Sequence, residues 1–434
     1  MRSTPPVYPI AQSSFTDVSS PLLNIGVAFG GVAPEHEVSV ISGLQVAAAL
    51  DRARYRPVPL YVAKDGTWYT GDRLLDPETY QDLSRLRAEA VPVVLDPAAH
   101  PGALDLVEMG KRGFFAGPPR RFRIDVMFLG FHGGEGENGG VQGLCETFNV
   151  PFTGSGVFGS ALGMDKVLSK MLCRDQGIPI VDFVWFREAQ WADHEEAWLD
   201  RIDERLGYPV IVKPARLGSS IGIGKADDRA QLDAAIEEAL RYDDKVVVEQ
   251  AVQALREVNC SVLGDPSEAQ PSVLEEPIRT DDDELLSFQD KYMRGGGEGG
   301  SKGRPRGAKQ GGGQAQGMAS LDRLIPAPLS DEQTAEIRAL AVRIFQLFEC
   351  AGVARLDFLI DGATGAYYFN EINTIPGSFS FYLWEPTGVP FDELAHRLIE
   401  IARRLHRQKN SRIRTYDVNL LSQKSLGGLK GAKG

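Results

Sequence analysis

Residues 355–377 read RLDFLIDGATGAYYFNEINTIPG, two short apolar runs that carry polar residues at alternate positions and are joined by the turn residues Asp361, Gly362 and Gly365. In an extended strand successive side chains point to opposite faces, so Arg355 and Asp357 share one face, and Glu371 and Asn373 share one face of the next strand. Asp-Gly between such runs predicts a hairpin. Pairing the strands brings Asp357, Glu371 and Asn373 together as hard oxygen ligands beside the cationic Arg355. Mg²⁺ takes such donors when substrate phosphates complete its octahedron. The same pattern also describes a half-exposed hairpin whose polar residues face water, and the stretch alone does not choose between the two.

The 434 residues allow two to three domains with ample core. A net charge of -12 argues against a dedicated nucleic-acid binder, because phosphate contact needs clustered Lys and Arg. No apolar run approaches the ~20 residues that span a bilayer, and the N-terminus, MRSTPPVYPIAQSSFTDVSS, has no apolar signal core. The expectation is a cytoplasmic enzyme with no nucleic-acid or membrane partner. Cys145, Cys173, Cys260 and Cys350 lack CxxC spacing, which points to reduced, mostly buried thiols rather than a zinc site or a disulfide framework.

Residues 1–22, rich in Ser, Thr and Pro, read as a flexible tail. A strand at 24–29, a Gly30-Gly31 turn, a helix at 37–50 and a strand at 55–62 form a βαβ opening, from which a parallel sheet is expected. A strand at 124–129 runs into HGGEGENGGVQG, and a helix at 141–148 completes a first domain, residues 23–155. A central unit, 156–252, carries helices at 166–176 and 228–242 and strands at 181–186, 208–213 and 245–250. A third, 253–408, carries strands at 257–263 and 272–277, the opening hairpin, and helices at 331–348 and 391–408. The fold class is α/β. Residues 294–317, RGGGEGGSKGRPRGAKQGGGQAQG, are nearly half Gly with five Lys/Arg and cannot bury a core, so they read as a mobile insertion; residues 409–434 form a basic tail.

Several segments carry chemistry, each with a plainer alternative. In VIVKPARLGSSIGIGK, residues 210–225, Lys213 ends an apolar strand before Gly218-Ser219-Ser220, a loop whose N–H groups and hydroxyls can cradle a phosphate; a strand-turn-strand with a surface lysine reads equally simply. In GMDKVLSK, residues 163–170, Lys166 opens a helix, where its charge opposes the macrodipole unless an anion lies near; the alternative is a solvated lysine. His132 heads a Gly-rich loop after a strand, facing a crevice or serving as a structural hydrogen-bonder. Glu35, beside Gly30-Gly31, can pair with a substrate ammonium or cap the following helix; the third glycine of a dinucleotide fingerprint is missing. Glu249 and Glu257 end and begin successive strands, where they can meet a nucleotide or face solvent.

Taken in order, FGGVAPEHEVSVISG, HGGEGENGGVQG, GSGVFGSALGMDK, VKPARLGSSIGIGK, VVVEQ, DKY, RLDF and NEINTIPG resemble the D-alanine–D-alanine ligase family of the ATP-grasp superfamily over residues 23–408. The resemblance implies three α/β domains, the first a Rossmann-like pre-ATP-grasp domain, with ATP and two Mg²⁺ ions (or Mn²⁺) between the other two. It implies that Lys166, Lys213, Ser219 and Ser220 meet the phosphates, Glu249, Gln250 and Val252 the adenine side, and Glu257 the ribose. Asp357, Glu371 and Asn373 would ligate the metals. Glu35 would hold the first D-alanine's ammonium, linked by hydrogen bonds to Ser219 and Tyr292, with His132 near its carboxylate. Lys291 would sit near the γ-phosphate and Arg355 against the tetrahedral intermediate. Two D-alanines, or related amino acids, would be the substrates, the dipeptide would feed cell-wall precursors, and a homodimer is usual in the family.

Three departures stand out. Asn138 replaces an acid of the family's HGxxGEDG pattern, the segment with Lys291 and Tyr292 gains the Gly-rich insertion, and SFSFYLWEP after Gly377 replaces a shorter Ser/Thr stretch at the second substrate. A ligase joining other amino acids is therefore the alternative, while Tyr292 favours an amine acceptor over a hydroxy acid. A non-catalytic ATP-binding regulator is a further alternative, which the intact set of Lys166, Lys213, Asp357, Glu371 and Asn373 speaks against.

Overall fold

The computed structural model describes residues 22–100, 102–110, 117–278 and 323–416. Lys291, Tyr292, the Gly-rich stretch 294–317 and most of both expected tails lie outside the described residues. Within them the chain builds three sheets. The first contains β1 (Leu23–Gly30), β2 (Tyr55–Val62), β3 (Trp68–Thr70), β4 (Val91–His100), β5 (Ala103–Glu108), β6 (Arg121–Ile124) and β7 (Val126–Leu129) in the order β6-β5-β4-β3-β2-β1-β7. The expected parallel sheet is limited to β2-β1-β7. Strands β3 to β6, which sequence patterning leaves unassigned, extend it with antiparallel pairs. The single strand expected at 124–129 is also split. Asp125 leaves the ladder to accept bonds from the Asn24 backbone N–H at 2.9 Å and the Asn24 side-chain amide at 3.2 Å, so β6 joins β5 while β7 joins β1.

The second sheet, β10-β9-β11-β8, is formed by β8 (Phe183–Arg187), β9 (Val210–Pro214), β10 (Gly224–Ala226) and β11 (Lys245–Gln250). The third, β14-β13-β12-β15-β16, is formed by β12 (Leu255–Gly264), β13 (Ala269–Pro277), β14 (Arg323–Leu324), β15 (Gly352–Asp361) and β16 (Tyr367–Asn373). Both are wholly antiparallel.

Period-2 patterning determines which faces of these two sheets are polar. On β12 and β15, Val258, Cys260, Val262, Ala354, Leu356, Phe358 and Ile360 bury against Ile337, Ala341, Ile344 and Phe345 of the helix Asp331–Leu347. Those helical positions recur at three- and four-residue spacing, one stripe of an amphipathic helix. Glu257, Asn259, Arg355 and Asp357 are left on the opposite face. On β9 and β11, Val210, Val212, Val246 and Val248 bury under Leu232, Ile236 and Ala239 of the helix Arg229–Leu240, leaving Lys213 and Glu249 opposite. The two polar faces line one cleft of about 1000 Å³, its mouth included.

The chain after β16 belongs to a different core. Ile375, Phe379, Trp384 and, from the helix Phe391–Asn410, Leu394, Leu398 and Ile399 pack with Phe29, Phe128 and Leu129 of the first sheet. Phe379 meets Phe128 edge-on with ring centroids 5.3 Å apart. All four cysteines are buried and unbridged, as expected. No helix among the described residues is long and apolar enough to cross a membrane.

One polar contact ties the central unit together. Asp165 caps the helix Lys166–Asp175, accepting from the Val167 and Leu168 N–H groups at 3.0 Å each, and its two oxygens also accept from the buried Lys245 ammonium at 2.9 and 2.8 Å. Asp165→Ala removes the cap and strands the Lys245 charge, so a loss of about 3–5 kcal/mol of unfolding free energy is expected in urea titrations; a loss below about 1 kcal/mol would show that Lys245 finds another partner.

Candidate active site

The expected hairpin forms, and its register sets Asp357 opposite Glu371 and Arg355 opposite Asn373. Between Asp357 and Phe358 the register shifts by one, and Asn370 is the extra residue of a β-bulge. Phe369 and Ile372 both bury, so strict alternation cannot place both on the core face with only two residues between them. The bulge resolves this by turning Asn370 and Glu371 together into the cleft, where both line it. Strand pairing alone would have turned one of them away.

The site is a set of charge pairs. The Arg355 guanidinium donates to both oxygens of Asp357, Nε at 2.7 Å and Nη2 at 2.8 Å, and the Asn373 amide donates to Asp357 at 3.1 Å. Burial works against the Arg355 charge, yet Asp357 outweighs it and holds the guanidinium well above its usual range. Lys166 donates to the Leu217 carbonyl at 2.7 Å and pairs with Glu371 at 3.2 Å. It is buried, which excludes the solvated-lysine alternative. Lys213 donates to Glu249 at 2.8 Å and to Asn370 Oδ1 at 3.1 Å. Burial opposes its charge as well, but Glu249 and Glu371 raise it above the usual lysine range. Ser220, Gln250, Val252 and Glu257 line the same cleft.

Across the cleft, Ser219 Oγ donates to Glu35, whose side chain makes no helix-capping bond. Ser219 and Ser220 hold φ of 55° and 59°, a left-handed backbone that costs non-glycine residues about 1–2 kcal/mol each. Gly133 makes the close approach possible: a Cβ there would lie 2.3 Å from Glu35 Oε2. His132 is buried with both ring nitrogens engaged. Nδ1 faces the Ile375 carbonyl at 2.8 Å, and a carbonyl only accepts, so Nδ1 carries the proton and Nε2 accepts from the Ser42 hydroxyl at 2.7 Å. Ser42 Oγ in turn accepts the Ser378 N–H at 3.0 Å. Glu137 accepts from the N–H of Gly133 at 2.9 Å and of Ile375 at 3.0 Å. Burial, with Glu35 nearby, pushes its carboxyl up to about 7.

Residues 378–380 hold φ of 51°, 52° and 51° in succession, three left-handed residues without a glycine. Such strain persists only where the surroundings over-determine it. Here Ser378 is bonded to Ser42 and Phe379 is locked in the first core. Further along, the Tyr382 hydroxyl donates to Glu275 at 3.1 Å, Arg323 donates to the same carboxylate at 2.6 Å, and the Arg323 guanidinium lies 3.9 Å from the Tyr382 ring centroid. Asn259 completes this group at 3.1 Å, and Glu275, Arg323 and Asn259 line the Arg355 end of the cleft.

The structure thus gathers Lys166, Lys213, Ser220, Glu249, Gln250, Val252, Glu257, Arg355, Asp357, Glu371 and Asn373 about one cleft, and joins Glu35, Ser219 and His132 to the loops beside it. Lys291 and Tyr292 lie outside the described residues. Sequence reasoning passed over Ser42, Glu137, Lys170, Glu275, Arg323, Asn370 and Tyr382. Only Asn370 had a signal, as adjacent Asn370-Glu371 between Phe369 and Ile372 breaks the alternation. Among the described residues no three His, Cys, Asp or Glu side chains gather as a cation site. The protein offers two carboxylates and an amide, each carboxylate now neutralised by Arg355 or Lys166, which suits Mg²⁺ completed by phosphate oxygens.

The chain matches the family model described as D-ala D-ala ligase N-terminus over residues 24–155, and that described as D-ala D-ala ligase C-terminus over residues 172–302 and 315–400. The unmatched residues 303–314 fall inside the Gly-rich stretch. A D-alanine–D-alanine ligase of Thermosipho melanesiensis is 36% identical over 403 residues, 93% of this chain and 99% of the relative. One of Caldicellulosiruptor bescii is 37% identical, over 90% and 97% of the two chains. Among solved structures, a D-alanine–D-alanine ligase from Coxiella burnetii aligns with a TM-score of 0.70 at 27% identity, covering 90% of this chain and 97% of that one. A D-Ala:D-Ser ligase from Enterococcus faecalis aligns at 0.69 and 27%, covering 88% and 99%.

Burial holds His132 down to about 4, below the 6.5 of a free imidazole. Below pH 6.5 the unfolded imidazole takes up a proton that the folded one refuses until about pH 4, so acid favours unfolding through this window. Relative to His132→Gln, the wild-type chain should lose on the order of 3 kcal/mol of stability between pH 6.5 and 4 in urea titrations; parallel curves for the two would show that His132 protonates without penalty.

Proposed function

The chain belongs to the D-alanine–D-alanine ligase family, and we propose that it condenses two D-alanine molecules into D-alanyl-D-alanine with hydrolysis of ATP to ADP and phosphate, for cell-wall precursor synthesis. The observation that carries this reading is the one cleft about which Lys213, Arg355, Asp357, Glu371 and Asn373 from two sheets and Lys166 from the helix Lys166–Asp175 converge.

A carboxylate resists attack by an amine, since its charge repels the nucleophile and oxide is the leaving group. An oxygen of the first D-alanine's carboxylate attacks the γ-phosphorus of ATP, the bond to ADP breaks, and an acylphosphate results. The amine of the second D-alanine, having lost a proton, then attacks the acyl carbon, and phosphate leaves as the peptide bond forms. Phosphoryl transfer needs positioning and charge neutralisation more than covalent help. Lys166 and Lys213 supply that neutralisation on one wall. Asp357, Glu371 and Asn373 would hold Mg²⁺, or Mn²⁺, two ions in all, which neutralises phosphate oxygens when bound. Arg355, aimed by Asp357, would stabilise the oxyanion that develops in the tetrahedral intermediate. Glu35 and Ser219 form a polar pair for the first substrate's ammonium. Glu137 and His132 fix the loops at residues 133 and 375 around it.

A second reading keeps the chemistry and changes the acceptor. Its support is the strained turn at residues 378–380, where the Ser380 hydroxyl is buried without a hydrogen-bond partner, together with the likeness to a D-Ala:D-Ser ligase.

Purified chain with ATP, Mg²⁺ and D-alanine should release phosphate and form the dipeptide stoichiometrically. Dipeptide from D-alanine and D-serine alone, or from other amino acid pairs but not D-alanine, would replace the first reading with the second. Arg355→Lys keeps the charge and loses the planar fork that spans Asp357, so kcat should fall by about 10²-fold in the phosphate-release assay.

A further inference from the structure

Lys170 stands outside the reaction just described, yet its side chain is wholly buried. It lies one helical turn after Lys166, which puts both ammonium groups on the same side of the helix Lys166–Asp175. Its Nζ is 3.2 Å from Glu249 Oε1, an ion pair without hydrogen-bond alignment. The other oxygen, Oε2, accepts from Lys213 at 2.8 Å. One buried carboxylate therefore holds two ammonium groups, and of these Lys213 lines the cleft while Lys170 does not. Burial lowers Lys170 from the usual lysine range against the pull of Glu249, and the two lysines hold Glu249 below the usual carboxylate range although burial opposes its charge.

This arrangement has a consequence for nucleotide binding. Lys213 is committed to Glu249 and Asn370, and to meet a phosphate it must give up the carboxylate. A buried carboxylate with one ammonium partner retains it, because separation strands a charge in the interior. With Lys170 at its second oxygen, Glu249 stays compensated when Lys213 leaves. We propose that Lys170 is a positioning residue for phosphate binding, holding the Glu249 charge so that Lys213 can pass from this carboxylate to the phosphates of ATP. The proposal rests on the reading of the cleft as an ATP site.

The test compares the full wild-type chain, Lys170→Met, Glu249→Gln and the double variant for equilibrium binding of Mg-ADP and of adenosine, and for the KM of ATP against kcat. In Lys170→Met, Glu249 has only Lys213, so ADP affinity should fall and the KM for ATP rise by about tenfold or more, with adenosine affinity held within about twofold. Removing the carboxylate as well should release Lys213 again, returning the double variant to within about threefold of Glu249→Gln for ADP. A folded Lys170→Met that binds ADP as tightly as the wild type, or that loses ADP and adenosine equally, overturns the proposal. Should Lys170→Met not fold, the double variant, in which no carboxylate at position 249 is left to retain Lys213, decides: ADP binding about tenfold weaker than in Glu249→Gln sinks the idea, and near-equality supports it. A wild-type chain that binds neither ADP nor adenosine would instead overturn the ATP reading, which keeps the two failures apart.

Discussion

The register of β15 between β12 and β16 is the constraint on which the rest of the site depends. Ten residue pairs of β15 with β12 put Arg355 and Asp357 beside Ser261 and Asn259, and the pairing with β16 puts Asn373 and Glu371 on their other side. A slip of one residue would turn Ala354, Leu356 and Phe358 into the cleft and the charged set into the apolar core beneath the helix Asp331–Leu347. The cost of burying those charges is what holds the register. The bulge at Asn370 is its local adjustment, keeping Glu371 in the cleft and Phe369 in the core.

From that register the electrostatics follow. The cleft is lined by cations and anions that neutralise one another: Arg355 with Asp357, Lys166 with Glu371, Lys213 with Glu249. Each pair is one that a phosphate or a divalent cation could exchange, because the incoming ligand replaces the charge that is displaced. Two further ion pairs keep supporting charges out of that exchange, Lys245 with Asp165 and Lys170 with Glu249. The first sheet contributes through the loops at Glu35 and at residues 132–137, joined to the chain beyond β16 by the His132, Ser42 and Glu137 hydrogen bonds. The segment after the hairpin is thus anchored from the first sheet, and the left-handed backbone at residues 378–380 is held by that anchoring.

Much of this was legible in the sequence, for a definite reason. The hairpin, the βαβ opening, the strand at residues 245–250 and the helices at 36–49 and 331–347 follow from period-2 and period-3.6 patterning with turn and cap residues, all local properties of the chain. Residues 63–123 were not legible, since the strands there do not alternate as half-buried strands do: Ala103 to Leu106 of β5 are buried in succession, the charged Asp105 among them. The parallel sheet inferred from the βαβ opening was overextended, because pairing direction beyond β2 depends on how the chain returns and not on any strand's composition.

By itself, the sequence determined the residue types, the faces of the strands and the order of the motifs, and with these the set of side chains that meets in the cleft. Tertiary structure alone decided the partners. Glu249 reads in the sequence as a carboxylate at a strand end and becomes the shared counter-ion of Lys170 and Lys213 only when the helix Lys166–Asp175 is laid across β11. His132, Glu137 and Tyr382 likewise acquire their roles from residues more than a hundred positions away. Local patterning carries the free energy of burial, which depends on each residue's own face. Charge pairing carries an energy that depends on distance through space, and that distance does not exist until the sheets have packed.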